Sequence, residues 1–166
     1  MKPTDITIRH VDSSFEDHNF RTPIKFGGVA LDKVRILNVT ITVESKAGKR
    51  GKGFGSMPLG NVWAWPSRTL TYDQTLAGMQ QLSASAAALY ATCDISGHPI
   101  DITHALEPKL LATPAPCVSE PMPALAKLVV GSAFDAALHD AFGKLHGLNC
   151  WHTYGPEFLE HDLGHY

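Results

Sequence analysis

The sequence predicts an α+β domain in which a three-stranded antiparallel meander is followed by a bundle of about three helices. Apolar residues recur with a period near two in the first third of the chain, and at steps of three and four after residue 71. Strands that all precede the helices are typical of α+β proteins, whose helices cover one face of the sheet. The 166 residues, 44% of them hydrophobic, suit one globular domain with a substantial core.

Three strands are predicted from side-chain alternation. Residues 6–11 alternate apolar and polar side chains, and residues 34–44 are rich in β-branched side chains with a period near two. Residues 51–57 should form the third strand, joined to the second by a turn at residues 46–49. The polar, glycine-bearing segment 12–28 is predicted to be a long loop between the first two strands.

The first two helices are predicted from capping residues and apolar spacing. Thr71 and Gln74 have the spacing of a capping box, in which the threonine hydroxyl accepts an early helix amide. The apolar stripe that follows consists of Tyr72, Leu76, Met79, Leu82, Ala86, Leu89 and Cys93. Asp101 is predicted to cap a second, short helix that Pro108 interrupts or ends, because proline cannot continue the helical hydrogen bonds.

The third helix is predicted to run from about Pro123 to His146. Proline is tolerated in the first turn of a helix, and Gly147 supplies a stop. The change from strand to helix falls near Pro66–Ser67, and residues 148–166 show no clear periodicity.

Charge and cysteine content exclude several classes of protein. A net charge of −2 gives no basic surplus for nucleic acid. The amino terminus has no apolar run typical of a secretory signal, and no apolar stretch is long enough for a membrane span. Cys93, Cys117 and Cys150 are odd in number and widely spaced, which favours a reducing cytoplasm over a disulfide framework.

One helical segment resembles the last cap-domain helix of the mandelate racemase and muconate lactonizing enzyme family, which belongs to the enolase superfamily. The family pattern reads approximately A-L-W-D-x-x-G-K-x-x-G, and residues 132–147 follow it, with His139 at the usual tryptophan position. The matching residues are Ala137, Leu138, Asp140, Gly143, Lys144 and Gly147.

Two upstream segments extend this resemblance over nearly the whole chain. Gly53-Phe54-Gly55-Ser56 is similar to the family's G-W-G-E at the end of the hairpin, with phenylalanine for tryptophan and serine for glutamate. Arg21-Thr22-Pro23 lies where the family often has Arg-x-Pro in its first mobile loop.

The resemblance implies that residues 1–147 are an amino-terminal capping domain and residues 148–166 a linker to, or the start of, a (β/α) barrel that is absent. In that family the barrel holds Mg²⁺ on carboxylates and supplies the lysine or histidine base that removes the proton alpha to a substrate carboxylate. Such a barrel needs about 250 residues. We therefore expect no catalytic residue and no metal in this chain, and its own carboxy-terminal barrel, a small carboxylate substrate and further copies of itself as partners.

Eight residues are candidates for the lid that closes over a substrate, by the same resemblance. In the first segment, arginine or histidine would meet a polyol or carboxylate, and the aromatic residue would exclude water. The alternative is a solvated surface loop for the first segment and packing against the helices for the second. The candidates are His18, Asn19, Phe20, Arg21 and Lys25 in the first segment, and Met57, Leu59 and Asn61 in the second.

The residues also allow two other classes of function. One is a free-standing α+β binding or interaction module. The other is a small zinc-binding protein that uses His146, Cys150-x-His152 and His161-x-x-x-His165, since zinc sites use such short spacings. Scattered cysteines disfavour the zinc hypothesis, because a closed structural site usually draws on two paired knuckles.

Overall fold

A computed structural model describes residues 2–26, 28–114 and 119–166, so Cys117 lies outside the described residues. Its three antiparallel strands lie side by side in the order β1-β2-β3, as in a meander. Their bounds are Ile6–Phe26 for β1, Val29–Ser45 for β2 and Arg50–Pro58 for β3. The predicted α+β class and the three-stranded meander are confirmed.

The carboxy-terminal part of the chain is helical. The helices are α1 at Asn61–Ala64, α2 at Tyr72–Ala91, α3 at Pro99–Ala112 and α4 at Ala124–His146. Two short 3-10 turns follow, at Cys150–His152 and Leu163–His165. Across the described ranges, no helix is long and apolar enough to cross a bilayer.

The first connection differs from the sequence prediction, since residues 12–26 continue β1 instead of forming a loop. They pair with β2 as far as Phe26 opposite Val29, and Gly28 adopts a positive φ of 85° next to this pairing. β3 pairs with β2 only as far as Ile36, so the hairpin extends beyond the sheet as a two-stranded ribbon, made of residues 17–26 and 28–35. Most side chains of the ribbon are exposed on both faces. Its sequence therefore lacks the alternation of apolar and polar residues from which a half-buried strand is predicted.

The helices cover one face of the sheet, and β3 lies very close to α4. An added Cβ at Gly53 would lie 2.1 Å from the Ala137 carbonyl oxygen, and one at Gly55 would lie 2.1 Å from that of Ala133. Glycines at alternate positions of β3 therefore face small side chains on α4, and no other residue type would allow this approach. The Asp140 carboxylate of α4 accepts the backbone N–H of Phe54 at 2.8 Å, so the two segments that carry the family resemblance are in contact.

The predicted termini of α4 and the predicted cap of α2 are confirmed, whereas those of the second predicted helix are not. Thr71 and Gln74 form the predicted capping box, and Gly147 ends α4 with a left-handed φ of 69°. The second predicted helix is present as α3, but its predicted bounds were wrong, because His98 and not Asp101 is the amino-terminal cap and the helix continues through Pro108 to Ala112. Buried Leu106 and Leu110 lie on either side of Pro108 and hold both halves of α3 in the core, which offsets the lost hydrogen bond.

The tail, residues 148–166, folds back onto the domain. Leu159 is buried, and the Pro156 carbonyl accepts the Lys2 ammonium at 2.6 Å. The Tyr166 hydroxyl donates to the Asp101 carboxylate on the first turn of α3. The tail therefore packs against both the amino terminus and α3.

Candidate functional site

Both predicted lid segments leave the sheet at the same edge. β1 and β3 each run antiparallel to β2, so they are parallel to each other and their carboxyl ends share an edge. The ribbon extends from this edge, and the Leu59 amide donates to the Arg35 carbonyl there at 2.9 Å. The topology therefore brings the base of the ribbon next to the second segment, although about 30 residues separate the two lid segments in sequence.

All five candidates of the first segment lie in the ribbon. His18 is opposite Val34, and its Nε2 lies 3.0 Å from the Glu16 carboxylate. The pairing is irregular between Asn19 and Ile24, where residues 20–23 of β1 lie opposite residue 32 alone. Phe20 is partly buried, whereas the other candidates, His18, Asn19, Arg21 and Lys25, are exposed. The cationic candidates are thus accessible to an anionic ligand.

The three candidates of the second segment are less accessible. Leu59 is buried in the core, and Met57 is partly buried against it. Asn61 is also buried, and its amide nitrogen donates to the Tyr72 carbonyl and to the Thr75 hydroxyl, each at 2.9 Å. These contacts tie the short helix α1, which the sequence analysis did not predict, to the first turn of α2.

A cleft of about 260 Å³ lies between Val29 of the ribbon and α1, and of the eight candidates it is lined by Asn61 alone. Val29 lines it from the ribbon, and Asn61 and Val62 line it from α1. Leu70 and Tyr72 close it from the side of α2. The cleft combines apolar walls with a few polar groups, which is the usual composition of a small-molecule site.

An ion pair at the base of the ribbon links the two segments, and sequence reasoning missed it. Arg35 binds both oxygens of the Asp17 carboxylate, at 2.6 and 2.5 Å, on the rung next to the last residue that pairs with β3. This hydrogen bonding lowers the pKa of Asp17 and raises that of Arg35. The backbone carbonyl of Arg35 also holds Leu59. The pair could have been predicted from the sequence if β1 had been extended to residue 17, because the strand register places Asp17 opposite Arg35.

A second polar cluster, also missed, lies away from the ribbon. Its centre is His98, which is fully buried and whose ring is 5.9 Å from that of His139 on α4. Burial, together with His139, lowers the pKa of His98 to about 4. Burial also disfavours the charged form of His139, but the Asp135 carboxylate 3.2 Å away leaves the pKa of His139 raised. The two histidines are thus biased toward opposite protonation states.

The described residues do not form a metal site. Among them, no group of three or more histidine, cysteine, aspartate or glutamate side chains could hold an ion. His146, proposed above for zinc, contacts the Thr4 carbonyl oxygen through its Nε2 at 2.9 Å. The rings of His161 and His165 stack with a centroid separation of 4.2 Å. The described ranges therefore contain no ligand set for the Mg²⁺ ion that the sequence resemblance places in the barrel.

Comparisons with known proteins identify the fold. No protein-family model matches the sequence, and no curated protein gives a significant match. Dipeptide epimerase from Enterococcus faecalis V583, complexed with Mg and L-Leu-L-Tyr, has a TM-score of 0.54 at 16% identity; the match covers 90% of this chain and 35% of that one. L-talarate/galactarate dehydratase from Salmonella typhimurium LT2 has a TM-score of 0.53 at 22% identity, covering 92% of this chain and 34% of that one.

A third solved structure shares the same architecture. An enolase from Bradyrhizobium, complexed with magnesium and mandelic acid, has a TM-score of 0.52 at 16% identity, and the match covers 86% of this chain and 33% of that one. The chain therefore has the fold of a domain that makes up about a third of the length of these enolase-superfamily enzymes. At the level of fold, the resemblance stated from the sequence is confirmed.

Proposed function

We propose that this chain is the amino-terminal capping domain of a mandelate racemase or muconate lactonizing type of enzyme, with residues 1–147 as the cap and residues 148–166 as the linker. Its lid would select a small carboxylate substrate for a (β/α) barrel that performs racemisation, cycloisomerisation or dehydration. The observation that carries the proposal is the shared edge: the ribbon and residues 57–61 leave the sheet at one end, and a cleft there is lined by Val29 of the ribbon and by Asn61.

We infer different tasks for the eight candidates from their charge and exposure. Exposed Arg21 and Lys25 supply the positive charge that attracts a carboxylate, and His18 and Asn19 supply hydrogen bonds to its hydroxyls. Partly buried Phe20 and Met57 exclude water from the closed site. Leu59 and Asn61 shape the site from beneath, because both are buried in the packing that fixes the second segment.

The reactive groups would belong to the barrel. Mg²⁺ there would stabilise the negative charge that develops on the substrate when its alpha proton is removed. The described part of this chain holds no ligand set for the ion, so its own residues would bind and orient the substrate and limit access of water. We further propose that the enzyme is cytoplasmic and homo-oligomeric. The free thiols of Cys93 and Cys150 support a reducing compartment.

The proposal predicts that the chain alone is catalytically inactive. Incubation with Mg²⁺ and galactarate, mandelate or a dipeptide should give no turnover above the uncatalysed rate, since the proposal assigns the base and the metal to the barrel and the described residues hold no ligand set for an ion. The Salmonella dehydratase assayed in parallel with galactarate is the positive control. Turnover that follows this chain through purification would refute the capping role.

Sequencing of the gene beyond the codon for Tyr166 tests family membership directly. A reading frame that continues into a barrel, with carboxylates at the ends of successive strands, is the expected result. A second candidate function, a free-standing binding module, is favoured by the tail, since Tyr166 is bound to Asp101 on the same domain. A stop codon after Tyr166, with no barrel gene elsewhere in the genome, would support that module and contradict the cap.

A further inference from the structure

His98 connects the start of α3 to the tail. It is the amino-terminal cap of α3, and its Nδ1 accepts the Ile100 backbone N–H at 3.2 Å. Its Nε2 lies 3.1 Å from the Thr153 hydroxyl, and both residues are fully buried. The Thr153 hydroxyl donates its only proton to the Cys150 carbonyl at 2.6 Å, so it must accept from Nε2–H. The two bonds therefore require neutral His98 with its proton on Nε2.

Tyr166 provides a second attachment of the tail at the same turn. Asp101 accepts the His98 backbone N–H at 3.1 Å with one carboxylate oxygen and the Tyr166 hydroxyl with the other. Thr153 and Tyr166 are thus both held by the first turn of α3, through the two side chains of one capping box. Whatever disturbs this capping box loosens the tail at both points.

We propose that His98 is a pH-sensitive latch, and that binding of a second proton releases residues 150–166 from the first turn of α3. This inference goes beyond the capping function and does not depend on it. A second proton occupies Nδ1, where it opposes the Ile100 N–H and removes the cap. It also places a positive charge at the positive end of the α3 dipole.

The groups around His98 do not compensate for this charge. His139 of α4 is itself biased toward the protonated form, and Asp135 of α4 is engaged by His139 and by Thr103. Asp101 of α3 is shared between the His98 amide and Tyr166. The Tyr154 ring of the tail, 5.6 Å away, is neutral at acid pH. Protonated His98 therefore gains most by moving into water, which breaks its contacts with Thr153 and Tyr154 of the tail.

The pH window follows from linkage. The depressed pKa of about 4 in the latched state, against an ordinary value of 6.5, means that the released state binds the proton more tightly. The latch is fully stable above pH 6.5 and weakens as pH falls toward 4. Within that range the ratio of released to latched molecules rises by up to about tenfold per pH unit.

Nuclear magnetic resonance of the 166-residue chain tests the proposal. We expect the His98 ring to titrate below its ordinary range, and the amide signals of residues 150–166 to move to unfolded positions with the same midpoint. Signals of β1, β2 and β3 should keep their folded positions there. Loss of sheet and tail signals together, or a tail insensitive to pH between 6.5 and 4, would overturn the latch.

Two variants separate the latch from general acid sensitivity. His98→Asn retains a side chain that caps a helix but cannot titrate, so the tail transition should disappear. The matched control, His10→Asn, changes an exposed histidine of the sheet and should leave the transition intact. If His98→Asn does not fold, Thr153→Val is used, which removes the acceptor and keeps the shape. It should raise amide exchange in the tail about tenfold at neutral pH; an unchanged tail would contradict the proposal.

Discussion

At the scale of single residues, Gly53 controls how closely the sheet and α4 pack. A Cβ there would meet the Ala137 carbonyl oxygen at 2.1 Å and the Ala141 amide nitrogen at 2.2 Å. Both atoms belong to the helix backbone, so no side-chain rotation relieves the overlap. Gly53→Ala must move α4 or bend β3, and we expect a loss of about 3 kcal/mol in the free energy of unfolding, measured by urea denaturation.

Gly48→Asn is the control for Gly53→Ala. Gly48 has a positive φ of 77° in the turn before β3, nothing lies within 4 Å of its added Cβ, and asparagine tolerates this conformation. Its free energy of unfolding should change by less than about 0.5 kcal/mol. If Gly53→Ala proves as stable as Gly48→Asn, β3 and α4 do not pack as closely as these distances indicate.

The glycine motif of β3 was recognised from the sequence, but the contact with α4 that requires glycine there was not. The alternating glycines and the small residues of α4 were visible as patterns. Their contact could not be predicted, because it depends on which face of the sheet the helix covers. His98 was missed for a related reason: its partner Thr153 is 55 residues away and belongs to a tail without periodicity.

At the scale of elements, the ribbon depends on the Asp17–Arg35 ion pair at its base. Isolated two-stranded ribbons are marginally stable in water. Arg35 joins β2 to β1 through both carboxylate oxygens, a geometry that lysine cannot reproduce. Arg35→Lys should therefore raise amide exchange in residues 18–34 about threefold, a modest effect because the pair is exposed. Hydrogen exchange with mass spectrometry measures this change.

Arg50→Lys is the matched control for the ribbon. Arg50 donates to Glu44 at 2.8 Å, but this pair joins β3 to β2 inside the three-stranded part of the sheet. The substitution should leave exchange of residues 18–34 unchanged. Equal effects of the two variants would show that Arg35 has no special role in ordering the ribbon.

The elements that the sequence predicted well are those with one buried face. β2 alternates Leu37, Val39, Ile41 and Val43 toward the core, and α2 has both a capping box and an apolar stripe. The ribbon and α1 were not predicted, for two different reasons. Residues 12–26 have few buried side chains to mark a period, whereas α1 has only four residues and no side-chain cap.

At the scale of the whole molecule, the ribbon tip exposes an apolar patch made of two cross-strand pairs. Ile24 is opposite Leu31, and Phe26 is opposite Val29. Residues opposite each other, or two apart on one strand, point to the same face, so these four side chains form one surface. Ile24 and Phe26 are each 48% exposed and Val29 is 44% exposed. Contiguous exposed apolar surface of this kind marks an interaction site.

The chain is therefore expected to self-associate through the ribbon tip. Sedimentation velocity over a wide concentration range should show a dimer that Phe26→Ser dissociates, because serine removes the largest apolar side chain of the patch. Phe54→Ser is the control, since Phe54 is 53% exposed but lies in the middle of β3, where its partner across the sheet is Thr40. A chain that stays monomeric at the highest concentration, or a dimer equally sensitive to both substitutions, would exclude the ribbon tip as the interface.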